Sequence, residues 1–294
     1  MPLYEPNNQP DINSFRLTGV TGSPIMTTDN VGLNTIYLTP FNGNRIALYN
    51  GATWDVFYSG QVSLAVTGRT ADLPFDLFVF NLNGVLTLET LNWTNATARA
   101  TPLVLQDGVW SRSGAITHRY VGTCRPRTAT SYSWVTQGIN APARLDLWNA
   151  SNRVIAAWNV ETNVDSWTYT TQTFRQAQGS ANYQLDVVAG LQECVLAGRL
   201  LIASGNSDAI LPRERGVGFG FDSTTATLTG SVNGGVADNG SIVHEHSAVC
   251  SLLVPIGRHF LAWLEISAAN GTTTWYGDNG ATRAQSGMSG VWPC

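Results

Sequence analysis

The chain has 294 residues, enough for one large domain or two, and either would bury a sizeable core. Charged residues make up 12%, about half the usual share, and the apolar fraction is 43%, so the composition excludes disorder and implies a polar, largely uncharged surface. All 16 basic residues are Arg: without Lys there is no Walker phosphate loop, Schiff-base or pyridoxal chemistry, and a net charge of −4 with scattered arginines argues against a nucleic-acid groove.

The opening stretch, MPLYEPNNQPDINSF, carries three prolines and three asparagines, which predicts an extended arm over residues 1–15. It lacks the basic and apolar regions of a secretory signal, and no apolar run in the chain approaches the ~18 to 20 residues of a membrane span. The expectation is a soluble protein made in the cytoplasm. The arm has little of its own to bury, so Pro2, Tyr4, Pro6, Pro10 and Ile12 are candidates for docking onto a partner.

From 16 to 127, short strand-like runs recur between turn signals, which predicts an N-terminal β domain. NRIALYNGATWDVFYSG reads as a hairpin. With a three-residue loop at Tyr49-Asn50-Gly51, Leu48 faces Ala52 and Ile46 faces Trp54, and the apolar even positions share one face. FDLFVF, apolar on both faces, is expected to be a central strand that turns at NLNG into VLTLETL. Asp107-Gly108 marks a further hairpin, and NATARAT is expected to form a helical turn. The polar, Pro- and Gly-containing CRPRTATSYSWVTQGINAPA places a linker at 128–142.

Residues 143–294 hold about ten further strand candidates and no sustained period near 3.6. LQECVLAGRLLIA is the one segment long enough to suggest a helix. No fixed-period repeat is present. The fold class is therefore all-β, with two β-rich domains, the C-terminal one a β-sandwich of jelly-roll type.

Chemistry-bearing residues are sparse. His244 and His246 would share one side of a strand, as two metal ligands could, but the Gly-rich flank VNGGVADNGS points to exposed loop histidines. Cys124, Cys194, Cys250 and Cys294 have no Cys-x-x-Cys spacing. Cys194 and Cys250 sit in apolar strands and should be buried, whereas Cys294 is expected at the surface, available for an intersubunit disulfide. No Gly-x-Ser-x-Gly elbow occurs, and Glu161, Asp165, Asp186, Asp222 and Glu265 are dispersed. Neither catalysis nor a cofactor is expected. Of the 29 aromatic residues, most should fill cores; Tyr132, Trp134, Trp275, Tyr276 and Trp292 lie in turn-like settings and are the candidates for partner contact.

The run IYLTPFNGNRIALYNGATWDVFYSGQVSLAVTGRTADLPFDLFVFNLNGVLTLE resembles a domain of tailed-bacteriophage and prophage proteins, as do LNWTNATARATPLVLQDGVWSRSGAITHRYVGT, SWTYTTQTFRQAQGSANYQLDVVAG and RHFLAWLEISAANGTTTWYGDNG. The resemblance extends from about Ile36 to Gly280. These proteins are mostly uncharacterised, all-β and virion-associated. The resemblance implies a non-enzymatic virion protein: a capsid decoration, spike or fibre subunit. It would self-associate, with a trimer expected by analogy, and contact the major capsid protein or a neck or tail component. The alternative is a carbohydrate-binding tail-fibre or tailspike protein that meets host surface glycans, with or without depolymerase activity.

Overall fold

The computed structural model describes residues 9–210, 213–238, 242–278, 280 and 285–294. Among them the one helical segment is a 3-10 turn, Ala177–Gly179; no helix is long and apolar enough to cross a membrane. The described residues are otherwise strands, turns and irregular segments, and the turn chemistry shows why. Phe75–Leu82 and Val85–Asn95 are joined by Asn83-Gly84 with φ of 51° and 88°, the paired positive values of a two-residue type I′ turn. Asp107-Gly108, at 49° and 83°, joins Leu103–Gln106 to Val109–Arg112 in the same way.

In the first half, one sheet runs Leu103–Gln106, Val109–Arg112, Ala115–Cys124, Phe75–Leu82, Val85–Asn95, Ala98–Arg99. Phe75–Leu82 is central, and its first five residues are all buried, as the doubly apolar sequence requires. A smaller sheet of Phe15–Thr18, Thr35–Pro40 and Val62–Ala65 lies beside it. NATARAT makes a turn rather than a helix: Asn95 pairs with Ala98, and its side-chain oxygen accepts from the Thr97 amide, the local bond that draws Asn away from helices.

The hairpin of Arg45–Tyr49 and Trp54–Tyr58 departs from the expected register. Tyr49 pairs with Trp54 and Ile46 with Phe57 across a four-residue loop. Asn50 sets the loop: its Oδ1 accepts from the amides of Ala52 and Thr53, and its amide donates to Asp55. Trp54 therefore shares a face with Tyr49, not with Ile46 and Leu48, and donates from Nε1 to Asp107. Both faces are covered, since Ile46, Ala47, Leu48 and Trp54 are all buried, so burial could not select the register.

The second half is a two-sheet sandwich whose frame is eight strands. One sheet orders them Ile155–Glu161, Gly287–Pro293, Val195–Asn206, His244–Leu253, which are the first, eighth, third and sixth of the eight in chain order. The other reads Gln184–Ala189, Gly257–Ile266, Arg213–Phe221, Gly235–Asp238, the second, seventh, fourth and fifth. LQECVLAGRLLIA supplies the start of Val195–Asn206, and its alternating burial is that of a strand. The sheets meet at Gly198, where an added Cβ would stand 3.3 Å from Leu261 Cδ2 and 3.4 Å from Phe219 Cζ. At one edge Tyr132–Val135 belongs to the second sheet and Gln137–Ile139 to the first; at the other Val232–Asn233 and Gly235–Asp238 divide likewise, so the chain crosses between sheets at both edges.

The stretch 128–142 thus carries two strands, and it joins the halves rather than spacing them. Asn30–Leu33 pairs with Tyr132–Val135, and Leu147–Asn149 pairs back onto Ala115–Cys124. One apolar core runs from Phe15 to Cys294. Buried and half-buried arginines fasten the joint. Arg127 forks onto Asp146 and reaches Asp186, and Arg125 holds Asp72. Arg16 donates to the Cys294 carbonyl at 3.0 Å, tying the first strand to the last residue.

Candidate functional surface

The side chains that point outward from the first sandwich sheet make its most distinctive surface. Cross-strand partners share a face, so the register places Ile155 beside Pro293, Ala157 beside Val291, Ala197 between Val291 and Ser251, Val195 beside Leu253, and Val232 beside Val249. Ile155 is 71% exposed, Val232 67%, and Leu253, Val195, Val249 and Val291 between 40% and 48%. Nine outward apolar residues on five adjacent strands, each occupying ~4.8 Å across the sheet by ~6.8 Å along it, give a patch of roughly 290 Å². That is close to the largest such patch on a typical monomer, and these patches are often functional. The face continues past Arg199 to Asn159, Glu161 and Ser289, which line a shallow depression with Gln285, and to the exposed Glu245. Its formal charges are few because the outward positions are mostly Val, Ala, Ile and Ser.

The sandwich interior holds several polar and titratable groups. His246 lies 2% exposed on the strand His244–Leu253, not in a loop, and Ser204 hydrogen bonds to its Nε2 at 2.7 Å. Arg215 Nε donates to the Ser204 hydroxyl oxygen, which directs the Ser204 proton onto His246. Burial, followed by the charges of Arg215 and His244, pushes the His246 pKa down to about 4. His244 is half-buried and bonded to Asp238. Among the described residues no three of His, Cys, Asp or Glu are gathered as a metal site requires. Glu265 is fully buried; Trp167 Nε1 donates to it at 2.7 Å and Arg175 Nε at 2.8 Å. Burial pushes its pKa up to about 7.

The partner-contact candidates separate. Pro2, Tyr4 and Pro6 lie outside the described residues. Pro10 and Ile12 lie against this chain itself: Arg119 donates to both their carbonyls and to that of Ala47. Trp275 and Trp292 are 0% exposed and are core residues, as are Tyr132 and Trp134, so none of these four offers a contact surface. Tyr276 is half-buried and pairs with Ala203 on the outward face, continuous with the surface above. Trp275 and Tyr276 were both expected in a turn-like setting, but they lie on the strand Thr273–Tyr276, whose alternation turns Trp275 in and Tyr276 out. Cys294 is buried, not exposed, because its backbone bonds both ways with Val154 and Arg16 caps its carbonyl. Burial pushes its thiol up to about 12. Cys124, Cys194 and Cys250 are buried and free as well. The aliphatic face was missed because its members come from five separated segments; the alternation in IAAWNVE was the signal present.

No protein-family model matches the chain, and no curated protein does. Among solved structures, the chain is similar to an insecticidal delta-endotoxin of Bacillus thuringiensis, with 8% identity and a TM-score of 0.23 over 96% of this chain. It spans 52% of the toxin, about half its length. The chain is also similar to the structure of infectious bursal disease virus, Gx strain, with 9% identity and a TM-score of 0.27 over 91% of this chain and 81% of that one.

Proposed function

We propose that this chain is a non-enzymatic structural protein of a tailed-phage particle, a surface decoration, spike or fibre subunit. It packs against copies of itself and against other particle proteins. The observation that carries the reading is the exposed aliphatic face of the first sandwich sheet. A broad, nearly uncharged sheet face can be buried against a partner without stripping water from many ions. A stable interface takes about 800 Å² from each partner, so the patch would form the centre of a contact that uses the whole face.

Other features support the same reading. The strand order of the two sheets fits a double Greek-key jelly roll, an architecture used in viral capsid and lectin domains. Four reduced, buried thiols suit folding in a reducing cytoplasm. Of the carboxylates that accept from an indole, Glu265 is buried out of reach of a substrate, and Asp107 is an exposed carboxylate that holds the buried Trp54. The sequence resemblance to phage proteins names the kind of particle, and the trimer rests on that analogy.

The test is the double variant Val195→Glu, Val291→Glu. Both side chains are outward-facing, so the fold should survive. Wild-type protein should be oligomeric by light scattering and should enter particles. The variant should be monomeric and excluded from them. A wild-type monomer, or a variant that assembles normally, overturns the proposal.

A further inference from the structure

We propose that a trough on the outer face of the second sandwich sheet is a saccharide-binding site for a neutral pyranose or short neutral glycan. The inference is independent of the packing reading, because the trough lies on the other sheet.

The register builds the trough. Gly216 pairs with Ile266 on one side and Gly235 on the other, so these three stand in one row across the face. Phe174 precedes Arg175, the partner of Glu265, and therefore extends the row beyond Ile266. The row reads aromatic, aliphatic, then two positions without side chains. An added Cβ on Gly216 would come 2.9 Å from the Gly234 carbonyl oxygen, so close strand approach requires glycine there. The next row holds Glu214 beside Ala237, with Gln172 at its Phe174 end. Asn233 borders the far side. The cavity is about 420 Å³ and runs on into a more polar hollow of about 250 Å³. Small-ligand sites span about 300–1,000 Å³.

These residues select the ligand class. Phe174 and Ile266 offer a flat apolar strip to the C–H face of a sugar ring. Glu214 is exposed and makes no ion pair or hydrogen bond among the described residues, so its oxygens are open to two hydroxyl donors, as charge-assisted bonds. Gln172 and Asn233 can both donate and accept. Arg213 is engaged by Asp208, and Arg215 is buried against Asp238. The charge left facing the trough is therefore negative, which disfavours phosphates and acidic glycans.

The experiment uses the full chain. Glucose, galactose, N-acetylglucosamine and their disaccharides are titrated at millimolar concentration by saturation-transfer NMR and calorimetry, with arginine, choline and glucose 6-phosphate as charged comparators. At least one neutral sugar should bind, and Phe174→Ala and Glu214→Gln should each weaken it about tenfold or more, with unchanged circular dichroism. Both are surface changes, and neither should alter self-association, which separates this result from the test above. Absence of binding by every neutral sugar, preference for a charged comparator, or binding that survives both substitutions overturns the proposal.

Discussion

Replacing Glu265 by Gln should change how stability depends on pH, and the sign follows from the site. Glu265 lies in the sandwich interior, held by Trp167 Nε1 at 2.7 Å and by Arg175 Nε at 2.8 Å and Nη2 at 2.7 Å. Burial outweighs these partners and raises its pKa from 4.5 to about 7. The folded protein therefore holds a proton that the unfolded chain releases. This contribution to stability is complete below about pH 4.5 and is lost as pH rises through about 7. At about 1.4 kcal/mol per pH unit across that window, it amounts to about 3 kcal/mol. Gln resembles the protonated acid and has nothing to lose. His246 works the other way: its pKa falls to about 4, so its share is present above about 6.5 and is lost as pH falls through about 4. The wild-type profile should consequently look flat between these limits, and the variant should reveal the histidine's slope. Urea unfolding of both proteins at pH 4.5, 5.5, 6.5 and 7.5 reads this directly. The difference should grow by about 3 kcal/mol in favour of Gln as pH rises. A difference independent of pH, or one that grows in favour of Glu, would refute the reasoning.

Gly190→Ala should destabilise the protein by about 3 kcal/mol in the same assay, because the new methyl would stand 2.0 Å from Tyr120 Oη and 2.5 Å from Trp148 Cε3 in a filled core. Gly60→Ala, with open space around it, should be neutral to within about 0.5 kcal/mol and serves as the control. All four cysteines should resist maleimide in the native protein and react together once urea unfolds it, since burial raises the thiols of Cys124, Cys250 and Cys294; rapid native labelling of Cys294 would show that the terminal strand opens.

How far the sequence could be read depended on the range of the interaction. Asn83-Gly84 and Asp107-Gly108 announce their turns because a two-residue type I′ turn needs φ > 0 twice, and few residues supply it. Phe75–Leu82 could be placed at a sheet centre because apolar side chains on both faces leave it no solvated side. The opening hairpin was harder. Its register is set by one Asn50 side chain spanning its own loop, while burial on both faces removes the usual constraint. The 128–142 stretch reads as a linker from composition, yet its first strand finds a partner about a hundred residues upstream, at Asn30–Leu33, and its second pairs with Ile155–Glu161. The trough is the extreme case: its floor joins residues near positions 174, 216, 235 and 266, and no local pattern marks them as neighbours.

The absence of lysine acquires a physical role in this light. Arg119 is buried without a carboxylate in contact and donates instead to three carbonyls, those of Pro10, Ile12 and Ala47. Burial lowers its pKa only to about 10, so it remains charged at neutral pH, and the two hydrogens of its Nη1 are shared among the three carbonyls. Arg125, Arg127 and Arg215 each engage more than one acceptor in the same way. A planar fork with five donors can satisfy several acceptors from one buried position, whereas an ammonium would be more strongly hydrated and would lose its charge more readily. The arginines therefore join strands distant in sequence at the cost of few charges. The outward positions of the first sandwich sheet are then left to Val, Ala and Ile, and the interior fastening and the uncharged face are two sides of one economy of charge.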